Sequence, residues 1–476
     1  MKRKNIVLAG IVIFVALVLV IFIVINSRPK TYNSNTINGA NVEHISNVDV
    51  EITTQLHKTE VPDGYIGIYT VDDFEYIRTN PSYNYILMND LDFSDVTDWK
   101  SPNIKSMFDG NNYSIMNFMQ NTSLFSVCYG TIQNLNMQNI EISGKSILCR
   151  ELSAYYHDDE NHLYPGTLKN CNIEGKINYA VTDAESDVVN VGGIISYAKG
   201  DPSNSEISPI IDDCIFNGTI SVTYAFDDYF QNNSTHLLIG GIVGFIDEGT
   251  ISNCITGGKI TYNETNMENN WDNLLANIGG IAGSTGYGTI ENTKNEINIV
   301  SNSESINAAG IVGLVGKQLK STVISGCCNL GNITLQEKYS GSVIDSSIKA
   351  GGIIANYDYP YLPTIYNCYN SGSITANNVG GLSCCSANLK FCYNIGEIKG
   401  TNKAGALLCD KNENIEYCYY LNNGVDVTSD GGKYPYVKVL SEEEMKNQSS
   451  FEWLNFNDVW TFSDGEYKYP TLKNCQ

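Results

Sequence analysis

The sequence predicts an all-β fold, a solenoid of about ten stacked coils built from short parallel strands. Three observations carry this. The first is a repeat: GGI-x-G, a short turn, an I-x-N-C strand and G-x-I recur from about Gly192 to Tyr419, most clearly as IGGIVGFIDEGTISNCITGGKIT (Ile239–Thr261). Weaker copies begin at Ala350, Val379 and Ala404. The second is one column. Cys171, Cys214, Cys254, Thr293, Cys328, Cys368, Cys392 and Cys418 hold the same place in successive units, at steps of 24 to 43 residues. The shortest steps suit one three-sided coil, and the longer ones add residues between the G-x-I strand and the next GGI. Coils would lie about 4.8 Å apart, giving a core on the order of 50 Å long. The third is the abundance of Gly (42 residues) and of Asn in the turns, both of which tolerate the left-handed backbone of tight corners. No single unit holds enough apolar surface to fold alone, whereas stacked units bury a continuous core.

Along the chain, Ile6–Ile25 is an uncharged apolar run, preceded by Lys2, Arg3 and Lys4 and followed by Arg28 and Lys30. It is long enough to cross a bilayer as one helix. The basic flank places residues 1–5 in the cytoplasm and the remainder outside the cell membrane. A cleaved signal peptide would end in a small-x-small site, and VIFIVINSRPK offers no good one. The expected division is 1–30, cytoplasmic tip and transmembrane anchor; 31–60, a polar flexible stalk; 61–439, the β-helix; and 440–476, a C-terminal capping segment. Thr70-Val-Asp-Asp73 is a helix-start signature, so Val71–Arg78 is expected to be a short helix covering the first coil. Three irregular early coils follow, at YILMNDLDF, MFDGNNYSIMNF and LFSVCYGTIQNLNMQNIEI. Ser441-Glu-Glu-Glu444 opens a second short helix, and Phe451, Trp453, Phe456, Trp460 and Phe462 are expected to plug the last coil.

Net charge is −23, which repels phosphate backbones and excludes nucleic acid as a partner. Fourteen Cys in an extracellular chain would ordinarily mean disulfides. Aligned side chains on parallel strands keep their Cβ atoms near the strand spacing, about 4.8 Å, whereas a disulfide wants about 3.5–4.5 Å. Cys171, Cys254, Cys368, Cys392 and Cys418 are therefore expected to be buried reduced thiols, with inter-coil disulfides as the alternative. Cys384, Cys385, Cys392, Cys409 and Cys418 crowd the last coils without the CxxC pairs of structural zinc sites, so no metal and no cofactor is expected. The acidic pairs Asp158-Asp159, Asp212-Asp213 and Asp227-Asp228 lack an accompanying His-Arg-Lys set. Asp213 also holds the Asn place of the repeat and reads as a turn residue. On these grounds the chain is expected not to be an enzyme.

The segments Gly240-Gly241-Ile242-Val243-Gly244, Gly249-Thr250-Ile251 and Asn253-Cys254, together with the opening DDFEYIRTN and the closing LSEEEMKNQSSFEWLNFNDVW, resemble bacterial surface proteins with GLUG-motif repeats. The likeness runs over roughly Val71–Lys473. It implies a right-handed parallel β-helix in secreted or surface-bound proteins, some adhesin-like and some carrying a protease domain with an H-E-x-x-H zinc helix. None of His44, His57, His157, His162 and His236 stands in such a motif, so the resemblance implies no protease activity.

The insertions Asn178–Val191, Ser221–Ile239 and Thr261–Ile278 leave the coil at one corner in three consecutive units and should stack as a ledge. They hold eight Asp or Glu and no Lys or Arg. Tyr224, Phe226, Tyr229, Phe230 and Trp271 stand there beside Asp227, Asp228 and Asp272. Exposed aromatics beside carboxylates suit sugar rings or a basic protein patch. The competing reading makes Val222, Tyr224 and Phe226 an ordinary strand extension. A second candidate is the turn NYDYPYLP, which presents Tyr357, Tyr359 and Tyr361. The expected role is an adhesin-like or scaffold protein binding a surface glycan or protein. The rivals are a polysaccharide lyase or hydrolase and a structural spacer.

Overall fold

The computed structural model describes residues 57–154, 165–181, 188–201, 207–225, 235–265, 274–303, 305–316, 320–336, 348–358, 360–410, 414–462 and 467–475. These are mostly short strands joined in one large sheet whose pairings are all parallel. The exception is a small antiparallel pair, Trp460–Phe462 with Pro470–Leu472. The register is that of a solenoid. Ile215 pairs with Ile255, Ile255 with Lys294, Lys294 with Cys328, Cys328 with Tyr369, Tyr369 with Tyr393 and Tyr393 with Tyr419. Each coil thus lies on the equivalent residues of the one before. Among the described residues no helix is long and apolar enough to cross a membrane. The span expected at Ile6–Ile25 and nearly all of the stalk lie outside the described residues.

Alternation of side chains sets the core. Along Thr167–Val181, Leu168, Cys171, Ile173, Ile177, Tyr179 and Val181 turn inward and are buried, as the two-residue period of a strand requires. A tight corner precedes the Cys column. There Asn134, Asn170, Asp213, Asn253, Asn292, Gly326 and Asn367 all have φ between 48° and 62°. Asn, Asp and Gly bear this left-handed backbone at low cost, so the Asn of I-x-N-C is a conformational requirement, and Asp213 is the turn residue its place in the repeat suggests. In the last coils the corner is taken by Phe391 (φ 55°) and Tyr417 (φ 57°). Their rings stack at 5.2 Å.

The column itself differs from expectation at one place. Because Lys294 pairs with Cys328, Thr293 stands opposite Cys327, and Cys327, not Cys328, belongs to the inward ladder. Spacing cannot resolve a Cys-Cys doublet; backbone register can. The ladder thiols donate to the carbonyl two residues earlier: Cys214 to Asp212 O at 3.2 Å, Cys254 to Ser252 O at 3.1 Å, Cys327 to Ser325 O at 3.2 Å and Cys392 to Lys390 O at 3.2 Å. A small apolar residue with a weak donor therefore fits the corner better than Ala or Val. All fourteen Cys are unpaired and buried.

Two residues beyond the ladder thiols runs a second column, Thr256, Asn295, Asn329, Asn370 and Asn394, fully buried or nearly so. Each Asn amide donates to the next carbonyl oxygen at 2.7 Å, from Asn295 to Asn329, Asn329 to Asn370 and Asn370 to Asn394. The second amide hydrogen goes to a backbone carbonyl, such as Gly331 O at 2.9 Å and Gly372 O at 3.0 Å. In the later coils this ladder explains the second Gly of the GGI unit. A Cβ at Gly280 would lie 2.2 Å from Asn295 Oδ1, and one at Gly352 would lie 2.6 Å from Asn370 Cγ. Across the coil, only glycine leaves room for the amides.

Both ends are finished by other material. A 3-10 turn, Val71–Asp73, leads into a short helix, Phe74–Thr79, with Phe74 and Ile77 buried under it, close to the expected Val71–Arg78. The second helix is Glu442–Met445, with Ser441 accepting from Glu444 N. The aromatic segment after it departs from expectation. It lies along the flank, over Tyr417 and Tyr419 of the last coil and over Tyr393 and Asn367 of earlier ones, rather than filling the last coil alone. Trp453 N donates to Tyr419 Oη at 3.0 Å, Tyr393 Oη to Pro470 O, and Trp460 Nε1 to Asn367 Oδ1 at 3.4 Å. The reason is the outward column Cys328, Tyr369, Tyr393 and Tyr419, an apolar stripe that needs covering.

Candidate binding surfaces

At the insertion corner, the strands ending at Val181, Ala225 and Thr265 stop in register, with Val181 opposite Tyr224 and Ala225 opposite Thr265. The aromatic and aliphatic side chains approaching these ends are interior, although Thr265 itself is exposed. Tyr224 is 2% exposed, Val222 and Tyr262 are fully buried, and the strand extension is what this part of the chain forms. Glu264, one of the acids counted in the ledge, is 2% exposed. It accepts from Tyr262 Oη at 2.9 Å and from Ser303 Oγ. Burial first, then the Glu264 charge, pushes the Tyr262 phenol well above its ordinary value. Phe226, Asp227, Asp228, Tyr229, Phe230, Trp271 and Asp272 lie outside the described residues, as does Tyr359. Of the second candidate, Tyr357 is partly buried against the core and Tyr361 is 48% exposed.

Beside the first insertion, at the same corner of the earlier coils, lies a cleft of about 550 Å³ lined by Asp98, Met119, Gln120, Asn121, Glu141 and Asn178 among others. Asn178 Nδ2 donates to Glu141 Oε1 at 3.0 Å, and Gln120 is held by Val96 O at 2.6 Å. The lining is mixed, with the exposed Met119 and the buried Ile142 as its apolar elements.

A third surface was not singled out from sequence. On the face where Ile195–Lys199 pairs with Val243–Ser252, Tyr197 lies opposite Phe245. Their rings stack at 5.5 Å and 6°. Burial raises the Asp247 carboxyl above its ordinary range, with Lys199 acting against the shift. One coil on, Tyr287 Oη donates to the nearly buried Glu248 at 2.6 Å, and burial with this bond pushes the Tyr287 phenol up to about 12. Tyr197 also reaches about 12, through burial and then the charges of Asp247 and Glu151. Half-buried stacked rings beside partly desolvated carboxylates are a setting for hydroxyl-rich ligands, since the rings meet C–H faces and the acids accept from hydroxyls. The signal was in the outward position three residues after the GGI of the first two units, which Tyr197 and Phe245 hold in succession. Among the described residues no group of three or more His, Cys, Asp or Glu is arranged to hold a metal ion.

No family model matches this chain, and no curated protein matches it in sequence. Two solved structures align with it over most of its length. One, from Bacteroides ovatus and provisionally described as an immunoglobulin A1 protease, is 18% identical with a TM-score of 0.39, over 86% of this chain and 92% of its own. The other, an IgA1 protease, is 15% identical with a TM-score of 0.41, over 70% of this chain and 21% of its own. The names describe those proteins, and likeness at this level transfers no activity. They do correct one expectation. Both of these proteins bear enzyme names, and the expectation that this chain is not an enzyme is withdrawn.

Proposed function

We propose that this protein is a cell-surface, right-handed parallel β-helix of the GLUG-repeat kind, held to the membrane through Ile6–Ile25, that binds a surface glycan or protein in an adhesin-like role. The observation that carries the proposal is the Tyr197–Phe245 ring stack beside the partly desolvated Asp247 on an outer face. The ledge tips at Asp227–Phe230 and Trp271 form a second contact region in this proposal. The full chain is to be screened against glycans and surface proteins, with every bound protein also examined for cleavage. Tyr197→Ala should weaken capture of the ligand found by about 2 kcal/mol, the loss typical of an aromatic anchor, and Trp271→Ala should do so if the ledge shares the contact. Unchanged capture by Tyr197→Ala, Phe245→Ala and Trp271→Ala alike would sink the proposal.

A further inference from the structure

The thiols divide into two kinds by geometry. Cys327, Cys368, Cys392 and Cys418 lie one per coil on adjacent parallel strands, where the strand spacing holds their Cβ atoms too far apart for a disulfide. Cys328 points the other way, into the outward stripe with Tyr369 and Tyr393. Cys475 approaches that stripe from the covering segment, on the single 3-10 turn Lys473–Cys475. Its Sγ donates to Gly326 O at 3.1 Å and lies 3.7 Å from Thr293 O. Thr293 O also accepts from Cys328 N at 3.0 Å. Cys475 thus shares the Thr293 carbonyl with the backbone of Cys328, and the two side chains belong to one buried cluster. Unlike a ladder thiol, Cys475 is not bound by strand register, so its turn can adjust to disulfide geometry without parting two coils.

We infer that Cys328 and Cys475 form a disulfide-forming pair that fastens the C-terminal segment to the flank of the solenoid. The oxidant is a small disulfide, of the class of oxidised glutathione. Cys475, 8% exposed against 0% for Cys328, is reached first. Its thiolate attacks one oxidant sulfur, giving a mixed disulfide and one released thiolate. The Cys328 thiolate then attacks the Cys475 sulfur and releases the second. Two electrons pass to the oxidant and the two thiol protons to its released thiolates. The neighbouring Cys328 thiol first, and then burial, raise the Cys475 thiol above its ordinary value, so the reaction should quicken as pH rises.

The test treats the folded full chain with oxidised glutathione, alkylates it in denaturant without reductant and maps cross-linked peptides by mass spectrometry. The expected product joins Cys328 to Cys475 and leaves Cys254, Cys368 and Cys392 alkylated. Because the link closes a long loop, the melting midpoint should rise on the order of 5 °C on oxidation. Neither the link nor the rise should occur in Cys475→Ser or Cys328→Ser. Circular dichroism of the two variants, matching the reduced parent, shows that they fold. Alkylation of both residues after oxidation of the parent, or a link from Cys475 to Cys327, overturns the inference.

Discussion

The coils before residue 130 and those after residue 290 stand on one parallel ladder but are filled with different material. The early coils hold a cluster of rings. Phe74, Phe93 and Trp99 meet edge to face at 5.1–5.9 Å, and Phe108 meets Phe125 at 4.9 Å. The later coils hold thiols, amides and glycines in columns. A ring cluster tolerates irregular coils because dispersion and hydrophobic burial are indifferent to register. An amide ladder is not indifferent. A slip leaves buried donors and acceptors without partners, each costing about 1–3 kcal/mol. Polar interiors therefore force a regular repeat, and apolar interiors release it.

The largest effect should come from glycine. Gly352→Val places a side chain against Gly381 O and the Asn370 amide, and the late coils should fail to fold. The loss should exceed that of Phe108→Ala in the early coils, about 3–5 kcal/mol, as measured by chemical denaturation. Next is Asn370→Leu. It strands the Asn329 amide and the Asn394 oxygen together, for about 3 kcal/mol. Adding Asn329→Leu should cost less than that substitution alone, because the shared bond is already gone. A strictly additive double variant would show that the amides act one by one.

Acid should separate the two regions. Asp109, in the early coils, is pushed up by burial but more strongly held down by hydrogen bonds from Lys58, Asn134, Asn111 N and Gln133, so its carboxyl lies below its ordinary 3.8. A folded value below the unfolded one gives stability that is present above the ordinary value and lost as pH falls through the folded one. The early coils should therefore weaken as pH falls below about 4, while the amide ladder does not titrate. Asp109→Asn should flatten the slope of denaturation midpoint against pH. A slope unchanged in that variant would place the acid sensitivity elsewhere. The smallest effect belongs to the corner. Asn253→Ala should cost about 1–2 kcal/mol in left-handed backbone strain, and Asn253→Gly much less.

What was legible in the sequence follows the same division. From Gly192 onward the repeat, the left-handed Asn and most of the Cys column could be read, because close packing and backbone conformation each allow few residue types. The amide ladder was equally written, as C-x-N-x-G at Cys327–Gly331, Cys368–Gly372 and Cys392–Gly396, but its Asn residues resemble turn residues until register turns them inward. The early coils offered no period because rings impose none. The C-terminal segment was misplaced because an aromatic cluster states that it is buried, not against what. The Tyr197–Phe245 surface escaped notice because two outward aromatics forty-eight residues apart meet only once register is known.

The central claim is that the amide ladder, not local packing, holds the late coils in register. Hydrogen exchange of the Asn370→Leu variant, read by mass spectrometry across the full chain, tests it most directly. Protection should fall together across the coils of Asn295, Asn329, Asn370 and Asn394 and stay unchanged over Asn84–Ile142. A loss confined to the coil of Asn370, or one spread evenly over the chain, would contradict it.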